Sequence, residues 1–257
     1  MMQAFSQLPH PLQALLATLF TWGITAAGAA MVFCCKNIRH DVLDGLLGAS
    51  AGVMLAAAFW SLLSPAIEMS RKMGRVPWLP ALIGLSLGAL GLYAADRLLL
   101  RLERRGDTPY HTKKRTTLLI ASITLHNIPE GLLYGLDGAT LTAACMLALG
   151  IGIQNFPEGA AISLPLLRDG ASKRRAFMAG MLSGAVEPIA GGIGALLGLR
   201  VRAALPYMLA FAGGAMIYVV VEELIPESHR GGKPGKIALF TLAGFALMMV
   251  LDVALSI

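Results

Sequence analysis

The sequence predicts an all-α integral membrane protein, a bundle of eight transmembrane helices, and three observations carry that prediction. Of its 257 residues, 56% are hydrophobic and only 14% are charged, against about 25% charged in a typical soluble domain. The apolar residues fall into eight runs, each close to the ~20 residues a helix needs to cross a bilayer. Lys and Arg lie in the short connections between those runs and are shared unevenly between alternate connections. Topology thus accounts for the formal charge of +6. The basic residues form no single patch interleaved with aromatics, so nucleic-acid binding is not expected.

The spans are placed near 12–33, 43–66, 79–100, 116–136, 140–167, 176–199, 203–226 and 237–257, one polytopic domain over 1–257 with no low-complexity tract to divide it. The first has no basic residue before it and exceeds the apolar core of a signal peptide, which makes it a retained helix. On the second, Ser61, Ser64 and Glu68 form a polar stripe at 3/4 spacing. The third carries a glycine face, Gly84, Gly88 and Gly91, that admits a close neighbour. Only a few residues around Asp137-Gly138 join the fourth and fifth, so these two form an antiparallel hairpin. The sixth is thinned by Gly191, Gly192, Gly194 and Gly198 and holds Ser183 and Glu187 at mid-span. The seventh ends on Glu222, Glu223, Glu227 and His229. His111, in the long connection Arg101–Arg115, is read as a solvated loop residue. Cys34, Cys35 and Cys145 show no CxxC spacing and are read as free thiols.

Sixteen Lys and Arg fall in the connections after spans one, three, five and seven, and five fall on the other side: Arg71, Lys72, Arg75, Arg200 and Arg202. The positive-inside rule then puts both termini on the non-cytoplasmic side. In that orientation the stripe Ser61, Ser64, Glu68 faces the external end and the cluster Glu222 to His229 the cytoplasmic end.

Within the fourth and fifth spans lie two related hexamers, His126-Asn127-Ile128-Pro129-Glu130-Gly131 and Gln154-Asn155-Phe156-Pro157-Glu158-Gly159. In each, the first residue and the Glu are four apart and share a helix face. Pro129 and Pro157 lack an N–H, which leaves the carbonyls of Leu125 and Ile153 without their helical partner and is expected to loosen the turn. His126 lies ten residues into its span, about 15 Å deep at ~1.5 Å per residue, the middle of a ~30 Å core. Gln154 and Glu187 lie at similar depth. Charged groups there cost about 2.5–3.5 kcal/mol each on insertion scales, so their presence points to function.

The donors meeting at this level are one imidazole, the carboxylates of Glu130, Glu158 and Glu187, and the amides of Asn127, Gln154 and Asn155. Nitrogen with oxygen donors and no thiolate suits Zn²⁺, Fe²⁺, Mn²⁺ or Co²⁺ and does not suit Cu(I). One or two divalent ions would nearly neutralise three carboxylates that otherwise repel. Amides in place of further carboxylates keep such a site from holding its ion too tightly to release it.

HNIPEG, QNFPEGAAISLPL, SGAVEP and EELIPE, on spans four to seven, resemble the ZIP (Zrt/Irt-like protein) family of divalent metal transporters, in particular its bacterial GufA-type branch. The resemblance covers essentially the whole chain. It implies helices four and five at the centre, flanked by two three-helix repeats of inverted topology, and a binuclear metal centre. One site would comprise His126, Glu130, Gln154 and Glu158, the other Asn127, Asn155, Glu158 and Glu187, with Glu158 bridging. It further implies movement of metal into the cytoplasm by an elevator-like or rocking motion without ATP, and no P-loop occurs in the chain. Two features depart from the family pattern: the His-rich stretch many relatives carry between spans three and four is absent, and Asn155 stands where some relatives have Asp.

The expectation is a transporter for divalent metal, Zn²⁺ foremost, with Fe²⁺, Mn²⁺, Co²⁺ and Cd²⁺ also candidates. The metal is cargo and no catalytic cofactor is expected. Ions would enter past Ser61, Ser64 and Glu68, pass Ser183 and the midplane ligands, and leave past Glu222, Glu223, Glu227 and His229. The alternative is an intramembrane zinc-dependent hydrolase, against which stand the absence of HExxH and of a second midspan histidine. An organic-solute carrier with the Glu residues as proton relays is a third reading. The implied partners are divalent ions and the bilayer of the cell (inner) membrane, with a homodimer by analogy only.

Overall fold

A computed structural model describes residues 8–34, 40–103, 111–134, 141–197 and 202–255, and among these the chain is helical with no strand. Eight long helical segments follow in order. α1 runs His10–Ala29 and, after a turn at Ala30, Met31–Cys34. α2 runs His40–Ala57, passes through a π-helical turn at Ala58–Leu63 and continues as Ser64–Lys72. α3 is Trp78–Glu103, α4 His111–Tyr134 and α5 Leu141–Arg168. α6 comprises Lys173–Gly184 and Val186–Leu197. α7 comprises Leu205–Val219, a π-turn at Val220–Leu224 and Ile225–Ser228, and α8 is Pro234–Leu255.

Each helix overlaps one of the sequence-derived spans. Six, α1, α2, α3, α6, α7 and α8, are long and apolar enough to cross a membrane. α4 and α5, at 24 and 28 residues, have the length for it, about 36 and 42 Å at ~1.5 Å per residue. Exposed large side chains such as Leu82, Leu87, Leu90, Leu196, Leu239 and Leu242 form the kind of apolar exterior that a bilayer, not water, accommodates. The turn expected around Asp137-Gly138 lies outside the described residues, as do Cys35, Arg200 and Gly198 and the side chains of His111 and Cys145. Cys34 is a free, exposed thiol.

Glycine contacts fix the relative directions of the helices. A Cβ on Gly152 would meet Phe20 and Ile24, and one on Gly159 would overlap the Thr25 carbonyl and crowd Ala29 N, so α1 and α5 run parallel. Gly84 and Gly88 meet α7 at Tyr207 and Phe211, and Gly45 and Gly52 meet α8 at Phe240 and Thr241; α3 is parallel to α7 and α2 to α8. By contrast Gly184 faces Thr25 and Gly191 faces Thr18, so α1 and α6 run antiparallel. These directions are those of a chain that reverses at every connection. Reversals after α2, α5 and α7 turn on Gly74, Gly170 and Gly232 at φ 69°, 90° and 72°, a region that side-chain-bearing residues avoid.

The pattern repeats with inversion. α3 packs on α7 as α8 packs on α2, and α4 packs on α6 as α5 packs on α1. α2 and α7 each contain a π-turn followed at once by Ser64-Pro65 or Ile225-Pro226, where the proline takes one of the first helical positions and gives up no bond. α1–α3 and α6–α8 are therefore two inverted three-helix repeats around the pair α4, α5. The core between α2, α4, α5 and α7 is filled by fully buried Met54, Leu62, Ile123, Ile162, Leu209 and Met216.

Two local expectations change. Pro129 and Pro157 were expected to loosen their turns, yet α4 and α5 run through both without a break; the missing N–H removes one bond while packing on both sides keeps the axis. Gly192, read as thinning the sixth span, has nothing within 4 Å of a built Cβ and makes no close approach.

Candidate metal centre

α6 breaks where its sequence requires it. Pro188 cannot donate to the carbonyl of Gly184, and the chain passes through a turn at Ala185 before the helix resumes at Val186. Glu187 thereby enters the first turn of the second half, where exposed N–H groups favour a carboxylate. The loosened carbonyl of Ser183 accepts the Asn127 side-chain amide at 3.2 Å, which ties α4 to the break.

His126, Asn127, Glu130, Gln154, Asn155, Glu158 and Glu187 are all 0% exposed. Across α4 and α5, His126 Nε2 lies 3.1 Å from Glu158 Oε1, and the Gln154 side-chain amide donates a short bond to Glu130 Oε1. Across α5 and α6, the Asn155 amide donates to Glu187 Oε1 at 2.9 Å. All seven residues singled out from the hexamers and from SGAVEP are thus in one buried assembly. Among the described residues, no three His, Cys, Asp or Glu side chains form a ready-closed ligand group.

Those amides turn nitrogen to the acids and leave oxygen unused. Asn127 Oδ1, Glu130 Oε2, Gln154 Oε1, Asn155 Oδ1 and Glu158 Oε2 are buried with no hydrogen-bond partner among the described residues. An unsatisfied buried acceptor costs about 1–3 kcal/mol. Five around one imidazole are a donor set that a divalent cation would satisfy.

The residues assigned to the flanking pathway are placed differently from one another. Ser61, half-buried in the π-turn of α2, donates to Asp252 Oδ1 of α8 at 3.0 Å, and Ser64 is exposed. Glu68 pairs with Arg71 at 2.5 Å and lies 3.8 Å from Lys72, on its own helix end. Ser183 is buried and donates to Gly180 O at 2.8 Å. At the other end Glu223 and Glu227 are buried and Glu222 is exposed. Glu227 takes a short ion pair from Arg168 and a second, 3.0 Å, from Arg230. His229 turns Nδ1 to the Ile225 carbonyl at 2.7 Å. None of these bonds and ion pairs links either flanking group to the seven central residues.

Four residues bear on this arrangement that motif reading passed over. Thr21 bonds Glu187 from α1; its signal was the spacing Thr18, Thr21, Thr25 on one face of an apolar span. Tyr134, one turn beyond Glu130 on the same face, is buried with Ala14, Ala148 and Ile151, and its hydroxyl has no hydrogen-bond partner among the described residues. Asp252 is a lone acid in an apolar terminal helix, a signal by depth alone. Arg168 was counted only as a loop charge.

Comparison with known proteins gives a consistent picture. A family profile described as ZIP Zinc transporter matches residues 101–252. The chain is 39% identical to Zinc transporter ZIP11 of Homo sapiens, over 95% of this chain and 97% of that protein. It is 36% identical to Zinc transporter GufA of Myxococcus xanthus, over 94% and 98%, and 36% identical to Zinc transporter ZIPB of Bordetella bronchiseptica, over 90% and 77%.

Proposed function

The chain belongs to the ZIP family of zinc transporters, on its GufA-type branch, and from that premise we propose that it carries Zn²⁺ into the cytoplasm through the buried centre of α4, α5 and α6. It is a multi-pass membrane transporter of divalent metal, not an enzyme. The proposal adds the metal, the direction and the residues, with α1–α8 acting as one transport unit in the cell membrane and both termini outside.

One observation carries it: seven fully buried polar side chains meet at mid-helix, and five of their oxygens have no hydrogen-bond partner among the described residues. On this reading His126, Glu130, Gln154 and Glu158 hold one ion and Asn127, Asn155, Glu158 and Glu187 a second, with Glu158 between them. An arriving ion exchanges water for carboxylate oxygen. Gln154 and Asn155 then rotate from donating N–H to offering Oε1 and Oδ1. The same rotation in reverse restores the amide–acid bonds as the ion leaves, so release is assisted by bonds that the ion had displaced. Near the cytoplasmic end Arg168 competes with metal for Glu227, which disfavours retention there.

The hydrolase alternative gains no support. Its open tripod of tight ligands would have to be built with His126 as the only imidazole at this level, and the relatives above are named as transporters.

The test is Zn²⁺ entry into sealed liposomes holding the purified chain, read by a trapped fluorescent indicator and repeated with Cd²⁺. Saturable entry that collapses in both His126→Ala and Glu158→Ala is the expected result. Entry untouched by either substitution would move the pathway elsewhere, and stoichiometric binding with no entry at all would remove transport.

A further inference from the structure

α1 supplies no residue to the proposed ligand sets, yet it lies against them in register. Thr25 faces Gly184, Thr18 faces Gly191, and Thr21 between them meets Glu187. All three threonines are 0% exposed. Thr18 Oγ1 bonds back to Ala14 O at 2.8 Å, and Thr25 Oγ1 to Thr21 O at 3.3 Å, each within its own helix. That is how a hydroxyl is ordinarily satisfied in an apolar helix. Thr21 Oγ1 also reaches Thr18 O, at 3.1 Å, but unlike the other two it bonds out of its helix as well, to Glu187 Oε2.

The same residue touches the other amide–acid partner as well. Asn155 Nδ2 donates to the Thr21 carbonyl at 3.3 Å and to Glu187 Oε1 at 2.9 Å. Glu187 is therefore fixed at both oxygens, by Thr21 from α1 and by Asn155 from α5. Asn155 in turn is fixed through both its N–H bonds, which leaves its Oδ1 without a partner. Each carboxylate oxygen keeps a second lone pair for a cation.

Resting on the two-site reading above, we propose that Thr21 is a positioning residue for the second metal site: its hydroxyl orients Glu187 and its carbonyl orients Asn155. Groups that hold ligands in place change metal affinity or activity by about 10–100-fold when removed. Asn155 supplies no charge of its own, so this site depends on the aim of Glu187. The first site, His126, Glu130, Gln154 and Glu158, has no contact to Thr21 in these bonds and is expected to keep its affinity.

The experiment is calorimetric titration of the purified chain with Cd²⁺ for the unaltered protein, Thr21→Val, Thr21→Ser, Thr21→Ala and Thr18→Val. The expected result is two binding steps in the unaltered chain. Thr21→Val and Thr21→Ala weaken the weaker step on the order of 10-fold or more and leave the tighter one in place, while Thr21→Ser and Thr18→Val keep both. The contrast of Ser with Ala isolates the hydroxyl even if Val disturbs packing. Two steps present and unmoved by Thr21→Val and Thr21→Ala would overturn the proposal, as would equal losses in Thr21→Val and Thr18→Val, the mark of helix packing alone. An unaltered chain with no second step would instead overturn the two-site reading on which it rests. Liposome entry tests transport separately.

Discussion

Gly28→Ala is the sharpest test of how the bundle holds the centre. The added Cβ would overlap the Phe156 carbonyl oxygen and stand 3.1 Å from Phe156 Cα. Both are backbone atoms, so no side chain can swing aside. Reaching an ordinary contact of about 3.5–4.0 Å requires α1 and α5 to part by on the order of 1 Å. Overpacking of this kind costs about 1–3 kcal/mol. It also opens the seam that carries the site: Asn155 reaches Thr21 O at 3.3 Å, and a further ~1 Å leaves hydrogen-bond range. Gly23→Ala on the same helix is the control, since nothing lies within 4 Å of its Cβ and its effect should stay within about 0.5 kcal/mol. The assay is thermal unfolding in detergent beside Zn²⁺ entry into liposomes. Gly28→Ala should melt earlier and transport on the order of 10-fold more slowly, with Gly23→Ala near the unaltered chain. Equal melting and equal entry for the two alanines would refute the close packing of α1 on α5.

Other substitutions probe the two ends. Arg168 and Glu227 are 11% and 10% exposed, so Glu227→Gln, which leaves Arg168 with the longer 3.6 Å pair to Asp169, should destabilise by roughly 1–3 kcal/mol, and the double change with Arg168→Gln by less than the two single changes together. A thermal double-mutant cycle with no coupling would refute that. Glu68→Gln, whose partner Arg71 is 64% exposed, should change stability by less than about 0.5 kcal/mol, and a larger loss in the same melt would show that the exposed pair is coupled to the fold. Tyr134→Phe removes a buried hydroxyl that lacks a partner among the described residues and should raise stability by about 1 kcal/mol; a comparable loss on melting would mean that the hydroxyl is satisfied.

Much of this protein was legible without coordinates because a bilayer restricts the options. A segment that must satisfy every backbone group internally is a helix, so each apolar run overlaps one of the helical segments. The seven central residues were legible for a related reason: His126, Asn127, Glu130, Gln154, Asn155, Glu158 and Glu187 interrupt apolar runs at mid-depth, where polarity without purpose is costly. The inverted repeats came from resemblance, and the shared π-turns at Ala58–Leu63 and Val220–Leu224 add to it a feature that periodicity does not carry. An inserted residue in a helix leaves the apolar pattern of its neighbours nearly unchanged.

What the sequence determined by itself is the set of helices, their alternating course and the chemistry of the residues at their middles, since each follows from a single segment and its solvent. What only the tertiary structure decided is which groups face one another: Gln154 on Glu130, Asn155 and Thr21 on Glu187, Arg168 on Glu227, Ser61 on Asp252. Threonine is ordinary in an apolar helix, where its hydroxyl can bond back to its own backbone, so nothing local marks Thr21 off from Thr18 or Thr25. The distinction arises from the register of α1 against α6, set by where Gly184 and Gly191 admit the side chains of Thr25 and Thr18.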